Sequence, residues 1–374
     1  MPGFLDQPHS HRLRRALFQV HLWLGLALGL YLTVVCVTGS ALVFRSDLQR
    51  LAFPELLAAD PRIEPAGLAD ALDALHARYP AHRITGVEAP TRYRRTFLAY
   101  VVDGERFRTV LSDPATGRVL GELPEDSWVA RLQSLHFNFL LGKTGQVVHQ
   151  IAAIALAGLV ISGGVIWWQG RRRWRRGLKV RSGPWPGVLR NLHSALGAWT
   201  GLLLLMISIT ALSLVFPKQF RSILTVSPSP SVAATQDTAS ATSRTPREVI
   251  ALAHAQHQTE YISRVVLPSE RDALYQVNFT TTRPTSLAPG SQVTRYYDLS
   301  GSEVSGFRPP SRISRVIDWT TALHVGNFAG NGTRFAWMFL GLLPPVLFAT
   351  GFLLWWRRVV RPRSRPISSE AAPN

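Results

Sequence analysis

Five histidines of this 374-residue chain lie in or beside long apolar stretches, where an ionisable side chain is costly and is usually retained for a function. They are His21, His136, His149, His193 and His324. A neutral imidazole can carry a proton or donate a nitrogen lone pair to a metal ion. The other six histidines lie in polar segments, where we expect ordinary packing or solvation.

The five histidines recur at matching positions in the two halves of the chain. Residues 19–44 align without a gap on residues 191–216 at an offset of 172, which places His21 on His193. LHFNFLLGKTG aligns on LHVGNFAGNGT at an offset of 188, which places His136 on His324. The pattern predicts a tandem duplication in which only His149 lacks a counterpart, because Trp337 stands at that position.

Four apolar stretches are long enough to cross a bilayer. They cover residues 17–44, 147–168, 193–216 and 335–356. Pro344 and Pro345 predict a kink in the last of them. The first stretch is too long for a cleaved signal peptide and has an internal counterpart, so we expect it to be retained. Cys36, the only cysteine, excludes an internal disulfide and a CxxCH motif for covalent haem.

Basic residues indicate how the helices are oriented. The N-terminal segment, the connection between the second and third stretches and the C-terminal tail hold 16 of the 41 Lys and Arg residues, with only Asp6 and Glu370 as acids. We expect both termini in the cytoplasm and both large connections in the periplasm of a bacterial inner-membrane protein that contacts lipid. The net charge of +18 flanks apolar helices, so we expect no nucleic-acid partner.

The predicted fold class is an α-helical polytopic membrane protein with two small α+β periplasmic domains. In each domain one helical pattern precedes alternating segments that are typical of a small antiparallel sheet. The predicted order is cytoplasmic N-terminus 1–16, transmembrane helix 17–44, first domain 45–127, LH segment 128–146, transmembrane helix 147–168, basic cytoplasmic loop 169–192, transmembrane helix 193–216, second domain 217–316 with a flexible linker 226–245, LH segment 317–334, transmembrane helix 335–356 and cytoplasmic tail 357–374.

Three kinds of site would explain paired membrane histidines. Interfacial anchoring does not account for their repetition, and a proton or metal pathway would recruit intramembrane Asp or Glu, which the four stretches lack. Haem ligation needs only paired neutral imidazoles and room for a flat macrocycle. Gly25, Gly29, Gly197 and Gly201 follow His21 and His193 by four and eight residues and would provide room, although helix packing through small residues explains the same glycines.

The histidines fall at two depths. His21 and His193 would hold a haem near the cytoplasmic face, because the helices that carry them start on that side. A second haem near the periplasmic face has three candidate ligands for two positions. Symmetry of the repeat favours His136 with His324, whereas depth in the membrane favours His149 with His324. The sequence leaves both alternatives open.

Several motifs resemble signatures of a known family, the PepSY-associated transmembrane proteins. The resemblance rests on HLWLGLALGL with VTGSALVF, on DPATGRVLG, on LHFNFLLGKTG with GLVISGGVIWW, and on LHVGNFAGNGTRF with ATGFLLWWRR. It covers nearly the whole chain. The third stretch departs from the pattern, because it ends ITALSLVF where the signature has TG.

The resemblance implies a function, because members similar to this chain act as inner-membrane ferric-siderophore reductases with two b-type haems. It implies two haem b groups per chain, held by His21 with His193 and by His324 with His149 or His136. Electrons would pass from a cytoplasmic or quinone donor to a periplasmic ferric siderophore, and iron would leave as Fe(II). The alternative is a non-enzymatic, colourless protein whose PepSY-like domains bind or inhibit a periplasmic protease.

The expected substrate site lies over the outer haem, between the LH segments and the two domains. Trp319, Asn327, Phe328 and Arg334 are the expected lining residues, although Trp319 together with Asp318 would also serve to cap and anchor its segment. No protein nucleophile or acid–base pair is expected, because a haem carries the electron chemistry itself.

Overall fold

The computed structural model describes residues 12–57, 67–104, 106–169, 173–223, 243–269, 272–281, 292–304 and 312–360. The predicted linker 226–245 lies outside these residues up to residue 242, as do most of the predicted N-terminal segment 1–16 and of the tail 357–374. The chain forms two compact units. We call Met1–Val37, Val147–Ile209 and Phe339–Asn374 the membrane unit, and Thr38–Gln146 with Thr210–Met338 the sheet unit.

Twelve α-helices and seven strands are described. The helices are α1 Arg12–Leu42, α2 Arg45–Ala52, α3 Pro54–Leu57, α4 Leu68–Arg78, α5 Trp128–Asn138, α6 Gly142–Trp167, α7 Trp185–Val215, α8 Pro217–Ile223, α9 Pro246–Gln256, α10 Arg312–Val325, α11 Asn331–Gly341 and α12 Leu343–Val359, and a 3-10 helix spans Trp174–Leu178. The strands are β1 Arg83–Glu88, β2 Phe97–Asp103, β3 Arg106–Ser112, β4 Val119–Glu122, β5 Tyr261–Val266, β6 Tyr275–Thr280 and β7 Gln292–Tyr297.

Four helical segments of the described chain are long and apolar enough to cross a membrane. They are α1, α6, α7 and the pair α11–α12, with mean hydropathy between 1.9 and 2.1. The prediction of four such segments is therefore confirmed. The fourth is interrupted at Leu342, and Pro344 stands in the first turn of α12. A proline is tolerated there because the first turn needs no backbone N–H, so the predicted kink takes the form of a new helix start.

The two segments predicted as separate domains share one antiparallel sheet. Its strand order is β4-β3-β2-β1-β5-β6-β7, so β1 and β5 join the contributions of the two halves. Val87 pairs with Val265, and Gly86 lies where a Cβ would come within 2.6 Å of the Val265 carbonyl oxygen. The junction arises because an open strand edge leaves backbone N–H and C=O groups unpaired, and two such edges satisfy each other.

The core of the sheet unit lies between the sheet and the helices α4 and α9. Leu72 and Leu75 of α4 and Val249 of α9 pack there with inward-facing side chains of both halves of the sheet. Arg247 on α9 forms ion pairs with Asp70 and Asp73 on α4. Because these pairs are about half exposed, the apolar contacts supply most of the stabilisation.

Equivalent aspartate turns close the sheet in each half. Asp113 Oδ1 accepts hydrogen bonds from the backbone N–H groups of Ala115 and Thr116, both at 2.9 Å. Asp298 Oδ1 likewise accepts from the N–H groups of Ser300 and Ser302, both at 2.9 Å. The first turn contains Gly117, whose φ of 73° favours glycine. There a Cβ would lie 2.8 Å from the backbone nitrogen of Ala71 in α4.

We expect Gly117→Ala to destabilise the sheet unit more than Gly104→Ala. Both glycines have positive φ, 73° and 62°, so either alanine costs about 1 kcal/mol of backbone strain. Only at Gly117 does the new methyl group also meet the α4 backbone, since nothing lies within 4 Å of a Cβ at Gly104. Thermal unfolding of the full-length protein in detergent, followed by circular dichroism, measures the difference. Equal midpoints for the two variants would contradict the packing of this turn on α4.

Candidate functional site

His21 on α1 and His193 on α7 face each other inside the membrane unit. Their ring centroids are 6.5 Å apart and their ring planes stand at 83°. Both residues are half-buried among the helices around them. The structure thus brings together the two histidines that the repeat pairs.

Each of these rings is held through its Nδ1 atom by a neighbouring helix. His21 Nδ1 lies 3.0 Å from Ser162 Oγ and 3.1 Å from the Leu159 carbonyl oxygen on α6. His193 Nδ1 lies 2.8 Å from Thr350 Oγ1 on α12. The pairs α1 with α6 and α7 with α12 therefore build the same half-site twice.

The hydroxyl groups determine which ring nitrogen carries the proton. Ser162 Oγ donates to the Gly158 carbonyl at 2.6 Å, and Thr350 Oγ1 donates to the Val346 carbonyl at 2.9 Å. A hydroxyl that has donated its only hydrogen can offer only a lone pair to the imidazole. The neutral rings therefore carry their protons on Nδ1 and their lone pairs on Nε2, the state in which an imidazole ligates a metal.

Two glycines that the sequence analysis missed make room for the rings. A Cβ on Gly163 would lie 3.2 Å from Cε1 of His21, and a Cβ on Gly351 would lie 3.3 Å from Cε1 of His193. The offset of 188 that places His136 on His324 also aligns Ser162-Gly163 on Thr350-Gly351. The sequence therefore contains this repeat, but a Ser-Gly or Thr-Gly pair in a membrane helix does not by itself indicate a functional site.

The four glycines predicted to make room for a macrocycle have different surroundings. Gly29 is packed directly under the Phe348 ring, closer than any Cβ would allow. A Cβ on Gly25 or Gly197 would make only ordinary contact, at 3.8 Å and 3.9 Å, with a leucine methyl group. A Cβ on Gly201 would meet nothing within 4 Å. Gly29 therefore serves helix packing in this structure, while Gly201 borders open space.

The spacing of the two rings fits one iron between them. An imidazole nitrogen binds a metal at about 2.0 Å and lies about 1 Å from its ring centre, so two rings on opposite sides of one metal have centroids roughly 6 Å apart. The observed 6.5 Å agrees with that value. The described residues contain no group of three metal-binding side chains. A pair of imidazoles therefore suits a cofactor that brings its other metal ligands with it, as a haem does.

His136 and His324 occupy matching positions in the sheet unit. His136 on α5 has its Nδ1 3.3 Å from Thr38 Oγ1, and His324 on α10 has its Nδ1 3.2 Å from Thr210 Oγ1. The two threonines are themselves related by the offset of 172. Gly39 borders the first ring, because a Cβ there would lie 2.7 Å from Cε1 of His136.

His149 has a different environment from the other four. It lies on α6 in the membrane unit, where its Nδ1 is 3.2 Å from the hydroxyl oxygen of Tyr31. Its counterpart by the offset of 188, Trp337, belongs to the sheet unit and donates from Nε1 to the Leu323 carbonyl. His149 is thus the only one of the five candidate ligands that the structure places without a matching second copy.

Three of the predicted lining residues lie on either side of His324 in the chain, Trp319 on α10 before it and Asn327 and Phe328 on the loop after it. Trp319, Phe328 and Trp337 form an aromatic row, with ring centroids 5.9 Å and 5.1 Å apart along it. Trp319 is 38% exposed, and Asn327 and Phe328 are half-buried. An aromatic surface of this kind is available beside His324.

Arg334, the fourth predicted lining residue, is buried and engaged within the protein. Its guanidinium forms an ion pair with Asp47 and donates to the Val43 carbonyl at 3.3 Å. It also stacks between the rings of Phe44 and Tyr93, at 4.3 Å and 4.2 Å. Only 3% of Arg334 is exposed, so its observed role is to join α11, the end of α1 and the loop before β2.

We expect Arg334→Met to destabilise the sheet unit by about 3–5 kcal/mol, because it removes one partner from a buried charge pair. Arg50 also pairs with Asp47, but it is 44% exposed, so Arg50→Met should cost about 1 kcal/mol or less. Thermal unfolding of the full-length variants in detergent compares them. A fall in midpoint that is no larger for Arg334→Met than for Arg50→Met would argue against the clamp.

A family model described as PepSY-associated TM region matches residues 18–358, a range that covers the sheet unit, most of the membrane unit and all five histidines. No curated protein matches the chain. The matched region also includes both sets of ring supports.

Proposed function

Because the chain belongs to the PepSY-associated TM family, we propose that it is a haem b oxidoreductase of the bacterial inner membrane. In this proposal it passes electrons to a ferric siderophore at the periplasmic face and releases iron as Fe(II). The observation that carries the proposal is the pair of rings of His21 and His193, whose centroids are 6.5 Å apart and whose Nδ1 atoms are both engaged by neighbouring helices.

His21 and His193 would hold the inner of two haems. For the outer haem, the matching threonine contacts support His324 with His136 rather than His324 with His149. A bound haem supplies an iron that takes up and gives away single electrons. The protein's part is to hold the imidazoles in the ligating tautomer and to keep their surroundings apolar, which sets the potential.

The proposed substrate chemistry follows from the oxidation states of iron. Fe(III) is bound tightly by the hard oxygen ligands of a siderophore, and Fe(II) fits them less well. One electron from a cytoplasmic or quinol donor reduces one Fe(III) to Fe(II), and the donor loses that electron. No side chain has to act as a nucleophile or a proton acceptor in this exchange.

The proposal includes the orientation and origin of the chain. The arginine clusters support cytoplasmic termini and a periplasmic sheet unit. Large apolar side chains exposed along the helices support direct contact with lipid, as at Leu30, Ile161, Trp199, Leu202 and Phe339. Matching contacts at Ser162 and Thr350, and at Thr38 and Thr210, support descent from a tandem duplication.

Absorption spectra of the detergent-purified protein, oxidised and then reduced by dithionite, test the proposal. We expect a b-type spectrum with two haems per chain. His21→Ala and His193→Ala should each remove one haem, and His136→Ala and His324→Ala should each remove the other. His149→Ala should leave both haems bound if the outer pair is the repeat-related one. A wild-type protein that stays colourless after expression with ample haem would refute the proposal and favour a protease-binding role.

A matched pair of neighbouring glycines tests the inner site. Gly163→Ala places a methyl group against the His21 ring, whereas a Cβ at Gly164 meets nothing within 4 Å. Displacing a ligand by a few tenths of an ångström should weaken haem binding by about tenfold, comparable to loss of an outer-shell partner. Gly164→Ala should bind haem like the wild type. Haem titration of the apoprotein measures both, and equal affinities would contradict the assigned ring position.

A further inference from the structure

Arg92, an exposed arginine of the segment before β2, lies against the loop that follows His324. The Arg92 guanidinium is 3.7–3.9 Å from the position that a Cβ on Gly330 would take. Arg92 is exposed, and among the described residues it makes no ion pair. The next residue, Tyr93, packs on the buried Arg334, so the segment that presents Arg92 is anchored.

The surroundings of Arg92 carry a surplus of positive charge. Asp47 is shared by Arg50 and Arg334. Glu88 accepts from Arg94 at 3.2 Å and lies 3.9 Å from Arg264. Five arginines share two carboxylates in this part of the sheet unit, and Arg92 adjoins them through Tyr93: Arg50 and Arg334 lie at Asp47, and Arg45, Arg94 and Arg264 lie at Glu88.

The positive charge near Arg92 is fixed in position because one of these arginines, Arg94, is buried. Burial lowers the pKa of Arg94, while the nearby Glu88 carboxylate raises it. Arg94 also donates to the Thr96 carbonyl at 2.7 Å, so it cannot turn away from the cluster. Each carboxylate is already used by more than one cation. A further negative group at this surface would therefore be attracted rather than repelled.

The same loop carries Phe328, the middle ring of the aromatic row. Phe328 packs on Trp319 and Trp337, and Gly330 immediately precedes α11, which starts at Asn331. Arg92 and Trp319 therefore both border this loop, Arg92 at Gly330 and Trp319 at Phe328. A ligand bound there would meet a guanidinium fork and an aromatic surface.

We propose that this surface, which we call the Arg92 face and define by Arg92, Gly330, Phe328 and Trp319, binds anionic ferric chelates. The inference rests on the proposed function and names its substrate class. Catecholate and carboxylate chelates of Fe(III) carry negative charge and present paired oxygens that a guanidinium can bind through two hydrogen bonds. Trihydroxamate chelates are uncharged or positive, so the Arg92 face disfavours them.

Redox-inert Ga(III) chelates test the specificity separately from electron transfer. Binding of Ga(III) tricatecholate and of an uncharged Ga(III) trihydroxamate is measured by calorimetry on full-length protein in nanodiscs of zwitterionic lipid. We expect the wild type to prefer the tricatecholate, and Arg92→Gln to weaken that binding about tenfold through loss of a charge-assisted contact. Arg92→Lys should retain part of the affinity. Arg106→Gln removes an exposed arginine elsewhere on the sheet unit and should change nothing.

Three results would overturn the proposal. One is equal binding of the two chelates by the wild type, and the second is a tricatecholate affinity that Arg92→Gln leaves unchanged. The third concerns lipid phosphate, the other source of anionic oxygens. If anionic lipid in the nanodisc abolishes tricatecholate binding in the wild type and not in Arg92→Gln, the Arg92 face is a headgroup site. Failure of the dithionite-reduced protein to reduce the matching Fe(III) chelate would count against the proposed reductase, and not against this binding specificity.

Discussion

The hydrogen bond from an imidazole Nδ1 to a hydroxyl on the next helix is the interaction on which this membrane unit depends. In hydrocarbon a polar group without a partner costs several kcal/mol, so the roles of Ser162 and Thr350 are determined as soon as the histidines enter the helices. Each hydroxyl accepts a hydrogen bond from the imidazole Nδ1, and this bond both orients the ring and fixes its tautomer. Glycines 163 and 351 complete the arrangement by letting the ring lie against the helix backbone.

Much of this arrangement could be predicted from the sequence, and the reason is periodicity. Apolar length predicts the four spans, and the two offsets pair His21 with His193 and His136 with His324. The supporting residues were missed because Ser162, Thr350 and their glycines are common in any membrane helix. Arg334 is a predicted lining residue because it lies in the LH segment 317–334, whereas its burial depends on contacts with Asp47 and Tyr93 that are distant in the sequence.

Tertiary pairing explains the remaining differences. Local alternation indicates a strand, but it does not say which other strand completes its edge. The sequence therefore predicts two small sheets, while the structure has one sheet of seven strands. Pro344 and Pro345 similarly predict a disturbance in the fourth span, but the exact residue at which the helix restarts depends on the turn at Leu342. In both cases the sequence pattern identifies the strand or helix, and tertiary contacts determine how it pairs or where it begins.

The junction between β1 and β5 is self-complementary. At an offset of 178 residues, Val87 corresponds to Val265, which is also its partner in the ladder. The same offset relates Gly86 to Arg264 and Glu88 to Val266, so it converts the pair Gly86–Val266 into the pair Glu88–Arg264. Both strands even shift register at equivalent points, after Ile84 and after Ile262. This is the geometry of an isologous interface. Under the proposed tandem duplication, a half-length ancestor with the same first strand would have paired that edge with a second copy of itself, as a symmetric homodimer.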